Sequence, residues 1–376
     1  MSKQVSPDDA SIFQVSGSMA FFSWLICEHP NLWQKIGRLE TSVIEDALDS
    51  VKIEKPVYVS GLARSGSTIL LEILAQVPGV ISHTYKDFPP VFTPYAWNKL
   101  LSQIAPAEAK PAERAHKDGI LVTLDSPEAM EEPLWMSFFP QAHDPSQSNV
   151  ITAGDQDNGF SEFYPAHIRK LLAVSNGERY LAKANYQITR LEYLLGLFPD
   201  ARFVVPVRAP VAHIASLVKQ HDLFTRGQRA NERARKHLRR VGHLEFGLDR
   251  APINTGDNER TAEIERHWEQ DEELIGWAKY WDQIYAYLLT RLEANPQLAA
   301  ATQLIVFEDL CADPAARLGE LMTHCGYEVS DEFMQAAAGR IKAPTYYKSK
   351  FSESEQALIA AETDATMERI RAAVRS

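Results

Sequence analysis

The stretch from Pro56 to Leu74 constrains the fold more than any other. Pro56-Val57-Tyr58-Val59-Ser60 is a short apolar run of the kind a buried strand needs, and it ends at Gly61. Gly61-Leu62-Ala63-Arg64-Ser65-Gly66-Ser67-Thr68 then leads into Ile69, Leu70, Leu71, Ile73 and Leu74, a mostly apolar helix that stops before Pro78-Gly79. The two glycines permit a tight turn whose successive N–H groups face one concavity. The helix adds its unpaired N-terminal donors and the positive end of its dipole, which makes an anion site. The spacing matches the phosphate-loop pattern G-x-x-x-x-G-K-[ST], except that Ser67 stands where lysine should be. That lysine serves the β- and γ-phosphates of a nucleoside triphosphate, so its replacement argues against a kinase or ATPase. Arg64 supplies a cation three residues earlier.

The same alternation recurs downstream. Arg179–Asn185 reads as a strand, followed by a helix from Thr189 to Phe198 and a strand from Arg202 to Arg208. Another helix starts near Pro210, where proline suits a first turn. A late strand, Gln303–Phe307, precedes a helix around Ala315–Cys325. Strands alternating with helices imply an α/β fold: a central parallel sheet with helices on both faces and helical inserts. We expect one domain over 1–376. Residues 1–54 form an N-terminal helical segment; 55–87 and 179–220 make a ligand-binding core; 88–178 and 221–300 are inserts; 301–376 close the chain with a strand and helices. Glu263–Glu293 reads as one long amphipathic helix whose aromatics belong to the core.

Composition narrows the class. At 376 residues with 45% hydrophobic and 24% charged side chains, the chain can build a large core. Its net charge of −11 argues against a nucleic-acid or anionic-membrane binder. Three cysteines, Cys27, Cys311 and Cys325, form no disulfide framework and no metal-type pair, so a reducing, cytoplasmic setting is expected without a metal. The first apolar cluster, Met19–Cys27, lacks a basic leader and is too short to span a bilayer, so it reads as a buried helix through Phe21, Phe22, Trp24 and Leu25.

Two motifs carry a family resemblance. Ala63-Arg64-Ser65-Gly66-Ser67-Thr68 resembles the 5′-phosphosulfate loop of sulfotransferases that use 3′-phosphoadenosine 5′-phosphosulfate (PAPS), [PL]-[KR]-[ST]-G-[ST]-[ST], departing only at Ala63. Arg208-Ala209-Pro210 with Ser216 eight residues on resembles the family's 3′-phosphate site. Arginine at a strand end and serine two helical turns later can meet one phosphate, the first by a bidentate charged clamp and the second by a neutral hydrogen bond. The resemblance implies a PAPS-dependent sulfotransferase with P-loop-like architecture. Arg64, Ser65, Gly66, Ser67, Thr68, Arg208 and Ser216 would bind the nucleotide. Lys348, in Tyr346-Tyr347-Lys348-Ser349-Lys350, lies where family members fold a basic segment over it.

Sulfuryl transfer needs positioning, cations and a base for the acceptor's proton. Arg64 is one catalytic cation. Lys183 is the second, because it resembles a lysine of the tyrosylprotein branch and is costly to bury in an apolar strand unless something anionic meets it. Where that branch carries its catalytic glutamate, this chain reads Ile81-Ser82-His83-Thr84-Tyr85-Lys86-Asp87-Phe88-Pro89, with Tyr85 opposite by counting. In an extended segment His83, Tyr85 and Asp87 share a face, so we expect Asp87 as base and His83 as its orienter or replacement. A second acidic cluster, Asp125, Glu128, Glu131 and Glu132, offers a base from the insert, though such clusters more often form solvated helix starts. The seven basic residues from Arg226 to Arg240 either clamp an acidic acceptor, form a subunit contact or coat a wet helix face. Phe88, Phe92, Tyr95 and Trp97 either wall an acceptor pocket or pack the insert. The acceptor, a small molecule, glycan or peptide bearing a hydroxyl or amine, is not legible. The rival readings are a nucleotide-dependent phosphotransferase and an inactive nucleotide-binding protein.

Overall fold

The computed structural model describes residues 13–103, 111–113, 121–152, 154–155, 158–342 and 351–375. The strands are β1 (Val57–Val59), β2 (Val80–Ile81), β3 (Ala112–Glu113), β4 (Leu121–Val122), β5 (Arg179–Lys183), β6 (Arg202–Val207) and β7 (Thr302–Val306). Five of them form one sheet in the order β2-β5-β1-β6-β7, every pairing parallel, while β3 and β4 pair antiparallel apart from it. The chain leaves β1 toward β2 and β5 on one side, then crosses to β6 and β7 on the other. The carboxyl end of β1 is therefore a topological switch point, where open α/β sheets leave a crevice for ligands.

Side-chain alternation divides the core between the two faces of the sheet. Tyr58, Tyr180, Ala182, Phe203 and Val205 pack with the helices Phe160–Ser175, Pro210–Ala230, Glu273–Ala294 and Glu353–Arg375. Val57, Val59, Leu181, Val204 and Ile305 pack on the other face with Ser67–Leu74, Pro314–Cys325 and Asp331–Arg340. Covering both faces explains why the strands read as continuous apolar runs.

Three sequence expectations need correction. The helix over 263–293 is two helices, Asn258–Glu269 and Glu273–Ala294, separated by a turn in which Asp271 takes φ +60°. Its aromatics are core, as expected: Trp268, Trp277, Trp281 and Tyr285 are all buried. The strand expected to run to Asn185 ends at Lys183, a 3-10 turn takes Asn185–Thr189, and the helix expected over 189–198 follows as Leu191–Leu197. Helix Gly17–Cys27 exists, but it buries Ser23 and Ile26 and leaves Phe21, Phe22 and Trp24 exposed. A helix apolar all round has no solvated side, so whichever face misses the core meets water.

Candidate active site

The loop after β1 is a run of left-handed positions: Gly61 at φ +136°, Arg64 at +72° and Gly66 at +108°. Gly66 is the N-cap of helix Ser67–Leu74, with no side chain capping the helix N-terminus. A Cβ at Gly66 would sit 2.5 Å from the Phe307 ring, so both conformation and space require glycine. His213, buried in helix Pro210–Ala230, holds the loop in place. Its Nε2 donates to the Ala63 carbonyl at 2.8 Å, and its Nδ1 accepts from Trp281 Nε1 at 3.2 Å. Burial, reinforced by the nearby Arg208 and Arg64, pulls its pKa down to about 3 against the opposing Ala63 hydrogen bond. The ring is therefore neutral, with its one proton on Nε2.

Cations flank this loop. Lys183 ends β5 and pairs in register with Val59 of β1, while β6 on the other side ends beside Arg208. Arg208 is buried, and the amide of Ala209 donates to both carboxylate oxygens of Glu308 at 3.1 Å. Arg64 Nε donates to Ser216 Oγ at 3.3 Å, across 152 residues of sequence. Ser65 Oγ is fully buried and has no hydrogen-bond partner among the described residues. Lys348 lies outside the described residues.

A cavity of about 290 Å³ opens from the loop. Arg64, Ser67, Thr68 and Lys183 line one end, Tyr85, Glu128 and Asn185 also line it, and apolar side chains supply much of the rest. Glu128 arrives by a backbone zipper. Tyr85 N donates to Ser126 O, Lys86 N to Leu124 O and Glu128 N to His83 O, at 3.2, 2.9 and 2.9 Å. This sets Tyr85 Oη 2.5 Å from Glu128 Oε2, donating to it. Asn185 Nδ2 donates to Glu245 Oε1 at 2.7 Å, and His243 Nδ1 lies 3.1 Å from Glu245 Oε2, all on the cavity wall.

Asp87 and His83 do not line this cavity. Tyr85–Asp87 is a 3-10 turn, so Asp87 does not share the face of Tyr85 as it would in an extended strand. Its carboxylate accepts from Thr84 N at 2.7 Å and Asn98 Nδ2 at 2.8 Å, with His83 Nδ1 3.5 Å away. Burial pushes its pKa up, but His83, Asn98 and Thr84 outweigh this and hold it well below the usual carboxylate range. His83 is buried with its Nε2 2.9 Å from His167 Nε2. Asp87 opens instead on a second cleft, of about 220 Å³, beside Lys86, Asn98 and Asp125.

A sequence profile of the sulfotransferase family matches residues 56–252, the segment that carries the loop, both strand-end cations, Glu128 and Glu245. The chain belongs to the sulfotransferase family. Solved structures similar to it include sulfotransferase STF9 from Mycobacterium avium, at 14% identity over 87% of this chain and 81% of that one, with a TM-score of 0.47. STF1 from Mycobacterium tuberculosis H37Rv is 15% identical over 95% and 94% with a TM-score of 0.45, and the sulfotransferase from Alicyclobacillus acidocaldarius 13% over 86% and 97% with 0.43. No curated protein matches the chain in sequence.

The acidic cluster of this sulfotransferase divides by environment. Asp125 pairs with Lys86 at the surface, at 2.6 Å. Glu131 is buried under Tyr164, Tyr180 and Gln187, and burial raises its pKa. Glu132 is gripped by Arg190 at 2.7 and 3.1 Å and by His143 at 2.6 Å; these charges overcome burial and bring its pKa down to about 2. The solvated helix start expected here is thus a buried charge network at Glu131 and Glu132. Of the four aromatics weighed for an acceptor pocket, Phe88 lines the cavity, Phe92 is core, and Trp97 donates to the Lys86 carbonyl. His213, Asn185 and Glu245 had no sequence signal, since each gains its place only through contacts across the fold.

Proposed function

We propose that this sulfotransferase moves the sulfuryl group of PAPS onto a hydroxyl or amine of its acceptor. One observation carries the reading: Arg64 Nε reaches Ser216 Oγ at 3.3 Å, so the two phosphate motifs lie within one side chain of each other. A nucleotide with phosphates on both the 5′ and 3′ oxygens of one ribose requires that proximity, and a triphosphate chain does not. The orphaned Ser65 Oγ fits the same ligand, because a buried hydroxyl without a partner costs roughly 1–3 kcal/mol unless something such as a phosphate oxygen accepts from it. The amides of Arg64, Ser65, Gly66, Ser67 and Thr68 would hold the 5′-phosphosulfate, and Arg208 with Ser216 the 3′-phosphate. PAPS supplies an activated sulfuryl group. Arg64 and Lys183 would hold the charge that spreads over its oxygens as the bond loosens.

We assign the general base to Glu128 rather than Asp87. Glu128 faces the cavity of Arg64 and Lys183, and Tyr85 orients its carboxylate by hydrogen bonding. The expected division stands as part of this proposal: 55–87 and 179–220 as nucleotide core, 88–178 and 221–300 as acceptor-side inserts within one domain. It is supported by the cavity wall, which takes residues from both inserts as well as Met19. Three unpaired thiols, with Cys27 and Cys325 pushed up to about 12 by burial, suit a cytoplasmic setting. No helix among the described residues is long and apolar enough to cross a membrane.

The test is calorimetric titration with 3′-phosphoadenosine 5′-phosphate (PAP) of wild type and Arg208→Ala, with ATP as control. At 100 times its dissociation constant the ligand should stabilise the fold by about 2.7 kcal/mol, and Arg208→Ala should lose this. Equal or tighter binding of ATP would overturn the assignment.

A further inference from the structure

We infer that the acceptor is a hydrophobic alcohol or phenol, its body held in the apolar end of the cavity and its reacting hydroxyl presented to Glu128. This rests on the sulfuryl-transfer reading of the same cavity. Away from the loop the apolar part of the wall is Met19, Phe88, Phe224, Leu238, Val241 and Phe246, with Glu132, Tyr186, His237, His243 and Glu245 interspersed. Phe224 and Phe246 are each 1% exposed and pack together with ring centroids 5.6 Å apart, so this wall is continuous with the core. The cavity, at about 290 Å³, has the size of a small-molecule site.

Charge decides against acidic acceptors. Arg64 and Lys183, both at the phosphate loop, are the lysine and arginine side chains among the described lining residues. The basic run from Arg226 to Arg240 contributes only His237 and Leu238 to the wall. Four of its seven basic side chains pair with protein carboxylates: Arg226 with Asp222, Arg235 with Asp249, Lys236 with Glu232 and Arg240 with Glu28. The run therefore does not clamp an acidic glycan or peptide in this cavity. Burial, with Arg240 and His243 adding to it, pulls the His237 pKa down to about 4, so the imidazole is neutral as well. A sugar would have to bury hydroxyls against Phe224, Leu238, Val241 and Phe246, at roughly 1–3 kcal/mol for each one left unpaired.

A polar group with spare hydrogen-bonding capacity selects within the apolar class. Asn185 is 7% exposed and spends its Nδ2 on Glu245, which leaves Oδ1 facing no donor among the described residues. That oxygen can accept one polar hydrogen from the bound molecule.

The experiment measures sulfation of 2-naphthol, 1-decanol, N-acetylglucosamine and an acidic tyrosine peptide with PAPS, alongside PAP calorimetry and fluorescence titration of 2-naphthol binding. The two apolar acceptors should exceed the polar ones in kcat/KM by roughly 100-fold. Leu238→Trp and Val241→Trp should each cut kcat/KM for them at least about tenfold while PAP affinity is retained, which also reports correct folding. Preference for the sugar or peptide, or indifference of the apolar acceptors to both tryptophans, would overturn the inference. Naphthol binding that is lost in Val241→Trp, in an enzyme that fails to bind PAP, would sustain the acceptor site and sink the nucleotide reading instead.

Discussion

Asp87 and Glu128 show how a few backbone angles decide which carboxylate faces the cavity of Arg64 and Lys183. Counting along an extended chain puts Asp87 beside Tyr85, but the 3-10 turn rotates it into a cap, where it accepts from Thr84 and Asn98. Glu128 was visible as one of four acids, yet its position depends on pairing between 83–86 and 124–128, which no local pattern encodes. The phosphate-loop residues were legible because strand, turn and helix are contiguous in sequence. On our assignment, Glu128→Gln lowers kcat about 100- to 10,000-fold with PAP affinity unchanged. If activity survives, the His243–Glu245 pair on the same wall becomes the next base to test. Asp87→Ala instead costs about 1–3 kcal/mol in denaturant unfolding, through the stranded Thr84 and Asn98 donors, and leaves kcat within a few-fold. The pH limb follows from Glu132, whose pKa falls from 4.5 to about 2 on folding. Its contribution is complete above about pH 4.5 and is lost as pH falls toward 2, so Tm should drop across that window. Glu132→Gln should reduce this limb, Asp87 still contributing to it, but cost about 3–5 kcal/mol at neutral pH, because Arg190 is left buried without its carboxylate.

At the scale of elements, three other elements restrain the loop that we propose as the anion cradle. Phe307, following β7, packs against Gly66; helix Pro210–Ala230 supplies His213 and Ser216; Trp281 of helix Glu273–Ala294 fixes the His213 tautomer. Gly66→Ala must place a Cβ at φ +108° and 2.5 Å from Phe307. The left-handed conformation alone costs about 1–2 kcal/mol, so unfolding experiments should show at least that loss, and calorimetry should show PAP binding abolished. Helix existence was readable from periodicity, whereas the break at Asp271 was not. Trp268 and Gly276 meet across it, with a Cβ on Gly276 falling 2.4 Å from the Trp268 ring, and that contact needs the turn between the helices.

Over the whole molecule, the strand order was beyond the sequence but its consequence was not: the cations predicted from separate motifs meet at the carboxyl ends of β1, β5 and β6. The core also extends past the family match, which ends at residue 252. Helix Glu353–Arg375 buries Ile359, Met367 and Ile370 and ties to the neighbouring helix through Lys279–Glu362 at 3.0 Å and Thr366–Asp282 at 2.6 Å. Each buried apolar side chain is worth about 1.5–3 kcal/mol, so deleting residues from 351 onward removes a sum comparable to a typical fold's whole stability. Circular dichroism and gel filtration of the truncated chain should show loss of the folded species. The zipper between 83–86 and 124–128 has a further consequence, for inheritance. On our assignment the proton acceptor at Glu128 and the wall residues up to Pro133 sit on one short segment outside the nucleotide core. Replacing that segment in a single genetic event would exchange the proton acceptor and its adjoining wall together while leaving the apolar acceptor wall of Phe88, Phe224, Leu238, Val241 and Phe246 in place.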